Sequence, residues 1–345
     1  MKFINTLLLP LAALSLLLIQ SVPANADLVV AADGSGHYTT IQSAIAAAPS
    51  GTAAQPTVID IKPGTYRELI YAQREKHFIV LKGDDPDPQK TVVTFGLYAG
   101  IIGPDGLPIG TFRTPTAYID ADDFVVENVD FVNSAGNVGQ ALAIRVDGDR
   151  DVFKNCRFDG YQDTILDNRG RHYYDRCTVT GAVDFIFGGG CGVFDHSKIV
   201  MIRPDGGKLT APSTPQDQDY GLVFLSCTLP QGPGILDGKS SLMRPWRPYG
   251  ESAFINCTMG SHISAAGFEP WDGRELTSRA YEYGSVMPDG KPVDVSKRLS
   301  WSHQLTKKAA DRYTLSNIFV DWDPKQAEAA ADATVGGSDL LEKKL

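Results

Sequence analysis

The sequence predicts an all-β protein folded as a single-stranded parallel β-helix, a solenoid, and the main observation behind this prediction is a recurring six-residue pattern. The pattern alternates an aromatic residue or valine, a small residue or cysteine, and an apolar residue, which is typical of one short strand in each coil. Such strands bury their faces only when coils stack, so longer loops are expected where the interval between units expands. The units begin at Val126, Phe153, Tyr174, Phe194, Phe224 and Phe254, at intervals of 27, 21, 20, 30 and 30 residues.

The composition and the start of the chain support the same architecture. Gly, Asn, Asp and Thr are abundant, and apolar residues occur in short Val, Ile and Phe runs, as in β-structure. Apolar residues at positions 41, 44, 45 and 48, followed by Pro49, predict a short N-terminal capping helix with Thr39 and Gln42 as its capping box. This helix would cover the open end of the solenoid. Strands are expected at residues 57–61, 78–81 and 92–95.

The first 26 residues have the pattern of a secretory signal peptide. Lys2 precedes an apolar stretch at residues 7–19, and Ala24-Asn25-Ala26 is a small-x-small cleavage pattern, so the mature chain would begin at Asp27. A membrane anchor is the alternative, but this stretch is shorter than the roughly 18–20 residues that span a bilayer. We therefore expect a secreted protein that is free of the membrane after cleavage. Residues 27–323 would form the β-helix domain, and the aromatic-free tail at 324–345 would be helical or disordered.

Charge and cysteine content exclude two classes of function. The formal net charge is -9, which argues against nonspecific binding of nucleic acid. The five cysteines cannot all pair within the chain, and they lack the close CxxC spacing of a zinc site.

Two aspartates hold the same place in successive repeats. Asp163 and Asp184 each fall ten positions after the start of their own unit, at Phe153 and Tyr174. Adjacent strands are about 4.8 Å apart, so the two carboxyls would lie almost one above the other. Because two carboxyls at that distance do not both ionise easily, one would be an ionised base or nucleophile and the other a protonated acid. The alternative is that both are ordinary turn residues.

Neighbouring side chains favour the catalytic interpretation. Gln162 directly precedes the first aspartate and Gln140 falls one coil earlier, and neutral amide donors suit the oxyanion of an ester hydrolase. Arg244 offers a cation for a carboxylate, and Trp246 offers an aromatic face for a sugar ring. The alternative for this last pair is an arginine and a tryptophan buried together at the base of a loop.

Five segments appear in the order typical of one enzyme family. They are residues 64–68 (GTYRE), 140–144 (QALAI), 160–164 (GYQDT), 183–188 (VDFIFG) and 244–246 (RPW). With these segments the chain resembles the pectin methylesterases, carbohydrate esterases with a right-handed parallel β-helix. Further similarity at residues 32–36, 111–113, 209–214 and 267–271 extends the resemblance over residues 29–323.

The resemblance implies hydrolysis of the C6 methyl esters of pectin, a methylated polygalacturonate, by a monomer that needs no metal or cofactor. It assigns Asp184 as the nucleophile and Asp163 as the general acid and then base. Gln140 and Gln162 would hold the oxyanion, and Arg244 would orient the nucleophile. The residues expected to contact substrate are Thr111, Tyr161, Phe187 and Trp246.

Two positions depart from the family pattern. Leu166 stands where family members often have an aromatic residue, so one platform for sugar stacking is expected to be missing. Phe268 likewise replaces a frequent tryptophan. Both changes are expected to affect substrate binding more than the chemical reaction.

Cys156 and Cys177 hold the same place on successive coils, about 4.8 Å apart at the backbone and within disulfide range. A disulfide is therefore expected between them. Stacked buried thiols are the alternative, because cysteine is often an ordinary small core residue.

Three other interpretations compete with a two-aspartate esterase. A pectin lyase or polygalacturonase would share the fold and the substrate but would cleave the polysaccharide chain. A carbohydrate-binding solenoid would keep the groove without turnover. A conventional serine esterase is excluded, because no Gly-x-Ser-x-Gly sequence occurs.

Overall fold

The computed structural model of the protein describes residues 28–342, so the predicted signal peptide at residues 1–26 lies outside the described residues. The described part of the chain is a parallel β-helix with a short helix near its N-terminal end, as predicted. Its coils contribute short strands to three sheets that run along the solenoid, and strands of successive coils pair in parallel.

The elements follow one another in a regular order along the chain. The strands are β1 Leu28–Val30, β2 Thr57–Ile61, β3 Gly64–Tyr66, β4 Ile70–Ala72, β5 Ile79–Gly83, β6 Thr91–Phe95, β7 Ala117–Ile119, β8 Val125–Glu127, β9 Asp130–Asn133, β10 Ile144–Val146, β11 Asp151–Lys154, β12 Arg157–Asp159, β13 Ile165–Asp167, β14 Arg171–Asp175, β15 Thr178–Gly181, β16 Val183–Gly188, β17 Cys191–Asp195, β18 Lys198–Met201, β19 Lys208–Pro212, β20 Leu222–Leu225, β21 Thr228–Leu229, β22 Ser241–Met243, β23 Glu251–Ile255, β24 Thr258–Met259, β25 Arg279–Tyr283 and β26 His303–Gln304. The α-helices are α1 Ile41–Ala47, α2 Lys307–Ala310, α3 Leu315–Phe319 and α4 Pro324–Glu342, and 3-10 turns lie at Pro88–Lys90, Thr111–Arg113 and Arg274–Leu276.

The three sheets differ in length. Sheet 1 has the order β1-β2-β5-β8-β11-β14-β17-β20-β23-β25-β26. Sheet 2 has the order β3-β6-β9-β12-β15-β18-β21-β24, and sheet 3 has the order β4-β7-β10-β13-β16-β19-β22. A complete coil therefore contributes one strand to each of the three sheets. The candidate site lies on the outer side of sheet 3.

Each six-residue repeat contains a bend that the sequence pattern conceals. In the unit that begins at Phe153, β11 ends before Asn155, whose backbone is left-handed with a φ of 49°, and β12 begins after Cys156. The prediction of one strand per coil is therefore wrong, because the repeat spans two strands in two sheets. Phe153, Cys156 and Phe158 all lie in the core, so the bend returns each apolar side chain to the interior and the alternation continues through it. The equivalent left-handed residues are Asn128, Arg176, His196, Ser226 and Asn256.

The aromatic residues that begin the repeats form one continuous stack inside the solenoid. Their strands pair in register, so each ring lies above the ring of the preceding coil. The rings are fully buried, and successive centroids lie 4.9, 4.3, 5.0 and 4.6 Å apart. The distance between stacked rings therefore matches the distance between successive coils, so ring packing stabilises the coil spacing. The stacked residues are Phe153, Tyr174, Phe194, Phe224 and Phe254.

Helix α1 closes the first coils, but its cap differs from the prediction. Ile41 and Ile45 are fully buried in the core, as their spacing predicts. Thr40, not Thr39, accepts a hydrogen bond from a backbone N–H of the first turn. The carboxylate of Glu68 accepts the N–H groups of Ile41 and the following residue at 2.9 Å, so a distant loop completes the cap.

The predicted disulfide between Cys156 and Cys177 is not formed. All five cysteines of the chain lie among the described residues, and each is a buried free thiol. Cys156 Sγ lies 3.4 Å from the carbonyl oxygen of Val126, and Cys177 Sγ lies 3.2 Å from that of Phe153. Each thiol therefore finds its partner on the preceding coil without oxidation, and the alternative of stacked buried thiols describes the pair correctly.

The tail forms helix α4, and the first half of this helix packs on the outer side of sheet 1. Ala331 is buried against this face, and Lys154 of β11 pairs with Asp332 at 2.9 Å. Lys325 pairs with Asp175 of β14 at 3.3 Å. Across residues 28–342, no helix combines the length and the apolar character needed to cross a bilayer.

Candidate active site

A cleft on the outer side of sheet 3 brings together eight of the nine residues that the sequence singles out. It contains a pocket of about 280 Å³ that is open at the surface. Tyr161 is the exception, because it does not line the pocket and its carbonyl instead accepts the N–H of Ala182 at 2.6 Å. The eight residues are Thr111, Gln140, Gln162, Asp163, Asp184, Phe187, Arg244 and Trp246.

Asp163 and Asp184 occupy equivalent places on successive coils, as their spacing predicts. Gln162 pairs in parallel with Val183, and the N–H of Asp163 donates to the carbonyl of Val183 at 3.1 Å. Asp163 directly follows Gln162, and Asp184 directly follows Val183. Both carboxyls therefore line the same pocket on neighbouring coils.

The backbone at both aspartates is left-handed, with a φ of 63° at Asp163 and 50° at Asp184. This conformation is costly for a residue with a Cβ, although Asp and Asn tolerate it better than most. At Asp184 the chain also bulges, because two residues lie between Val183 and Ile186 while only one lies between their partners Lys208 and Thr210. Bulges redirect a side chain locally, and here the bulge contains Asp184, which lines the pocket.

Asp184 is held by a two-pronged ion pair. Arg244 Nε donates to its Oδ1 at 2.8 Å, and Arg244 Nη2 donates to its Oδ2. The guanidinium lies over the ring of Trp271, 4.1 Å from its centroid, which fixes the arginine from the other side. Burial raises the pKa of Asp184, and the hydrogen bonds and charge of Arg244 oppose that rise. The arrangement favours an ionised Asp184.

Asp163 has the opposite environment. Its side chain is buried and makes no hydrogen bond to any residue in the range 28–342. Burial, followed by the negative charge of Asp184, raises the pKa of Asp163 to about 8, and Arg244 opposes this shift only in part. A carboxyl with this pKa keeps its proton at neutral pH and can donate it.

Two side-chain amides lie beside the aspartates. Gln140 pairs in parallel with Gln162, and the N–H of Ala141 donates to the carbonyl of Gln162 at 3.0 Å, so the glutamines stack on adjacent coils. Their side chains line the pocket, and neither amide makes a hydrogen bond within the described part of the chain. Such amides are available for an oxygen that becomes negatively charged during a reaction.

Aromatic side chains form one wall of the cleft. Phe187 meets Trp246 nearly edge to face, with centroids 5.7 Å apart, and Phe112 lies 6.4 Å from Trp246. Sequence reasoning missed Phe112 and Trp271 as pocket residues, although both fall in segments that match the family. Their position next to Thr111 and in the GFEPW segment was the available signal.

Leu166 does not present a platform in the cleft. It is fully buried and packs with Leu142, Phe187 and Ala211 in a small apolar cluster against which Trp246 rests. The leucine therefore belongs to the floor that supports the aromatic wall.

Comparisons with known proteins all point to one family. A family model described as pectinesterase matches residues 27–322. The chain is 36% identical over 300 residues to pectinesterase 31 of Arabidopsis thaliana, an alignment that covers 85% of this chain and 91% of that protein. Other Arabidopsis relatives are pectinesterase/pectinesterase inhibitor proteins, and the chain spans only about half their length, 56% in one case.

Solved structures give the same result. Pectin methylesterase from carrot superimposes with a TM-score of 0.79 at 28% identity, covering 89% of this chain and 98% of that one. A pectin methylesterase in complex with a hexasaccharide superimposes with a TM-score of 0.72 at 30% identity, covering 88% and 99% of the two chains. The similarity therefore includes almost the whole of these structures.

Proposed function

The chain belongs to the pectinesterase family, and on that premise we propose that it hydrolyses the C6 methyl esters of pectin to pectate and methanol. The observation that carries the proposal is the unequal pair of carboxyls, in which Arg244 binds Asp184 while Asp163 has no such partner and burial raises its pKa to about 8. An ionised and a protonated carboxyl on adjacent coils are the two groups that ester cleavage needs.

In the first half of the proposed reaction, an Oδ of Asp184 attacks the carbonyl carbon at C6. The carbonyl oxygen becomes an oxyanion, and the side-chain amides of Gln140 and Gln162 donate hydrogen bonds to it. The tetrahedral intermediate collapses by breaking the bond to the methoxy oxygen, which takes the proton of Asp163 and leaves as methanol. The product is an anhydride between Asp184 and the galacturonate.

In the second half, Asp163 is ionised and acts as a base. It takes a proton from a water molecule, whose oxygen attacks the C6 carbon of the anhydride. Collapse of this intermediate breaks the bond to Asp184, which returns to the carboxylate held by Arg244. The released galacturonate carboxyl and the protonated Asp163 restore the starting state.

The aromatic wall suits a polysaccharide. Phe187 and Trp246 offer ring faces against which sugar rings can pack, and Thr111 lies in the 3-10 turn at the pocket edge. A relative in this family was solved with a hexasaccharide, which supports an oligosaccharide ligand for the cleft. We propose methylated polygalacturonate as the substrate and a monomer as the active species, and include Tyr161 as a more distant contact.

We also propose that residues 1–26 direct secretion and are removed, leaving a β-helix domain at 27–323 and a C-terminal tail at 324–345. The support is the sequence pattern of the first 26 residues. Pectin is extracellular material, so export agrees with the proposed substrate.

The direct test measures methanol released from highly methylated pectin by residues 27–345, in the presence of EDTA. Asp163→Asn and Asp184→Asn are suitable variants, because asparagine tolerates the left-handed backbone at both positions. We expect EDTA-insensitive release by the parent protein and loss of release in both variants, with unfolding temperatures unchanged. Chain cleavage without methanol would instead indicate a lyase or polygalacturonase, and binding without any reaction would indicate a carbohydrate-binding solenoid.

A further inference from the structure

We propose that Asn133, at the end of β9, is a positioning residue for the reaction, because its side chain holds the backbone that presents Gln140 to the oxyanion. Asn133 does not line the pocket, and it is buried with an exposure of 5%. The inference rests on the proposed function, in which the side-chain amide of Gln140 donates a hydrogen bond to the oxyanion. It names the group that keeps this donor in place.

Gln140 lies outside the strands of sheet 3, at the end of the loop at residues 134–139. Gln162 pairs in parallel with a residue on each neighbouring coil, with Gln140 on one side and Val183 on the other. The backbone carbonyl of Gln140 accepts the N–H of Ala99 at 2.9 Å, from the loop that follows β6. The place of Gln140 therefore depends on hydrogen bonds from a loop, whereas parallel pairing holds Gln162 on both sides.

The side-chain amide of Asn133 joins three backbone segments around this glutamine. Its Nδ2 donates to the carbonyl oxygens of Leu97 and Leu142, both at 2.9 Å, and to that of Thr114 at 3.3 Å. Its Oδ1 accepts the N–H of Ala135 at 3.0 Å. An amide has only two N–H donors, so one of them is shared between two carbonyls. Because the group is buried, its loss would leave these carbonyls without that donor.

Each of the three segments belongs to the surroundings of the site. Leu142 follows Gln140 by two residues on the same short stretch of chain. Leu97 precedes by two residues the alanine whose N–H donates to the carbonyl of Gln140. Thr114 directly follows the 3-10 turn Thr111–Arg113, and two residues of that turn line the pocket. One buried amide therefore connects the segment of an oxyanion donor with the edge of the pocket.

Thr114 makes a second connection between the pocket edge and the segment of Gln140. Its hydroxyl donates to the carbonyl of Thr111 at 2.8 Å and accepts the N–H of Leu142 at 3.1 Å. The carbonyl of Leu142 accepts from the Asn133 amide and from a backbone N–H, that of residue 116, at 3.1 Å. The backbone of Leu142 is thus held at both its N–H and its carbonyl.

The contacts of Asn133 should matter in the transition state more than in the bound ground state. A donor stabilises an oxyanion only where its N–H points at the place that the charged oxygen will occupy. A displaced Gln140 would therefore lower kcat. The pocket edge keeps its connection through Thr114 when Asn133 is replaced, so KM should change little. A residue that served only folding would affect stability and leave kcat unchanged.

The test is a double-mutant cycle of Asn133→Ala and Gln140→Ala, with kcat and KM for methanol release measured on highly methylated pectin. We expect Asn133→Ala to lower kcat about tenfold and to change KM by about twofold at most. In the Gln140→Ala background the same replacement should lower kcat by about twofold at most, because the amide that it positions is gone. A tenfold loss in both backgrounds, or a change in KM alone, would overturn the proposal.

Asn128→Asp is the control, because Asn128 Nδ2 also donates to a backbone carbonyl, that of Gly83 at 3.2 Å, but at the bend between sheets 1 and 2. Aspartate is used because the backbone of Asn128 is left-handed, with a φ of 57°. The control should keep both kcat and KM, and an equal fall of kcat in the control would overturn the proposal. If Asn133→Ala does not fold, Thr114→Val removes the other connection to Leu142 and should give the same non-additive cycle with Gln140→Ala. An additive cycle would contradict the inference.

Hydrogen–deuterium exchange separates failure of the inference from failure of the proposed function. In Asn133→Ala, exchange should accelerate together in residues 97–114 and 140–144 and stay unchanged in residues 162–188. If the parent protein releases no methanol, the proposed function fails. Joint acceleration then still supports the positioning role of Asn133, and its absence overturns that role. If methanol is released but the mutant cycle is additive, the inference fails and the esterase stands.

Discussion

Asp184 forms two hydrogen bonds with Arg244, whereas the carboxyl of Asp163, one coil away, has no hydrogen-bond partner among residues 28–342. The two side chains have almost the same burial, with exposures of 6% and 8%, so burial alone does not distinguish them. The difference comes from the position of one arginine. The following predictions begin with this asymmetry.

The rate of de-esterification is expected to fall as the pH rises through about 8. Methanol departure needs the proton of Asp163, whose pKa is raised to about 8 by burial and by the charge of Asp184. Above that pH, kcat/KM should decline by about tenfold per pH unit. A pH-stat assay from pH 5 to 10 measures the profile, and a flat profile up to pH 10 would contradict the assigned acid.

Replacing Arg244 by glutamine should lower kcat by about 10²-fold, because Asp184 loses the group that orients it. Removal of the cation should also raise the pKa of Asp184, so the acidic limb of the pH profile should move to higher pH. Arg244→Lys keeps the positive charge but cannot form both hydrogen bonds to the carboxylate. It should therefore lower kcat with a smaller shift of the acidic limb of the pH profile. An acidic limb unchanged in Arg244→Gln would assign that limb to another group.

His172 should make folding stability sensitive to alkaline pH. Its ring is fully buried, with Nδ1 3.0 Å from Asp167 and Nε2 3.1 Å from the carbonyl of Gly148. Asp167 and Asp151 outweigh burial and raise the pKa of His172 to about 9, above its ordinary value of 6.5. Since the folded pKa exceeds the unfolded one, the contribution is complete below pH 6.5 and is lost as the pH rises through 9.

The loss between pH 6.5 and 9 should amount to at most about 3 kcal/mol in the free energy of unfolding. Urea denaturation at several pH values measures it. His172→Gln should be less stable at pH 6 and should lack the decline. An equal decline in the variant would trace the effect to other groups.

All five cysteines should be unreactive in the folded protein and reactive after unfolding, because each is a buried thiol. Burial also raises the pKa of Cys191 and Cys227, which reduces the thiolate that reacts. Titration with a chromogenic disulfide should find five thiols per chain in guanidinium and almost none without it. A count of three thiols per chain after unfolding would instead support the disulfide between Cys156 and Cys177 that the sequence predicted.

The six-residue repeat in the sequence predicted the solenoid and its inward-facing side chains, but not the number of strands in each coil. The inward-facing positions were identified correctly, because Phe153, Cys156 and Phe158 are all in the core. The strand count was not, because the bend at Asn155 depends on its φ and not on its hydropathy. Side-chain patterns report burial, and they contain little information on where the backbone changes direction.

The candidate site was predicted well where it depends on register and poorly where it depends on loops. Equal spacing from Phe153 and Tyr174 placed the two aspartates on adjacent coils, and the structure has them there. Phe112 and Trp271 reach the pocket from segments outside the strand repeat, so no periodicity could place them. Leu166 was expected to leave out one platform for sugar stacking, and the structure agrees, because this leucine is buried with its neighbours below the aromatic wall.

The left-handed bends between sheets 1 and 2 recur at a regular distance along the solenoid axis. Arg176, His196, Ser226 and Asn256 are exposed, one on each successive coil, and the same backbone conformation recurs at each. Probes attached at these positions would be separated by multiples of about 4.8 Å along the solenoid axis. The protein could thus calibrate distance measurements in solution, with the coil number giving the expected separation of any two labels.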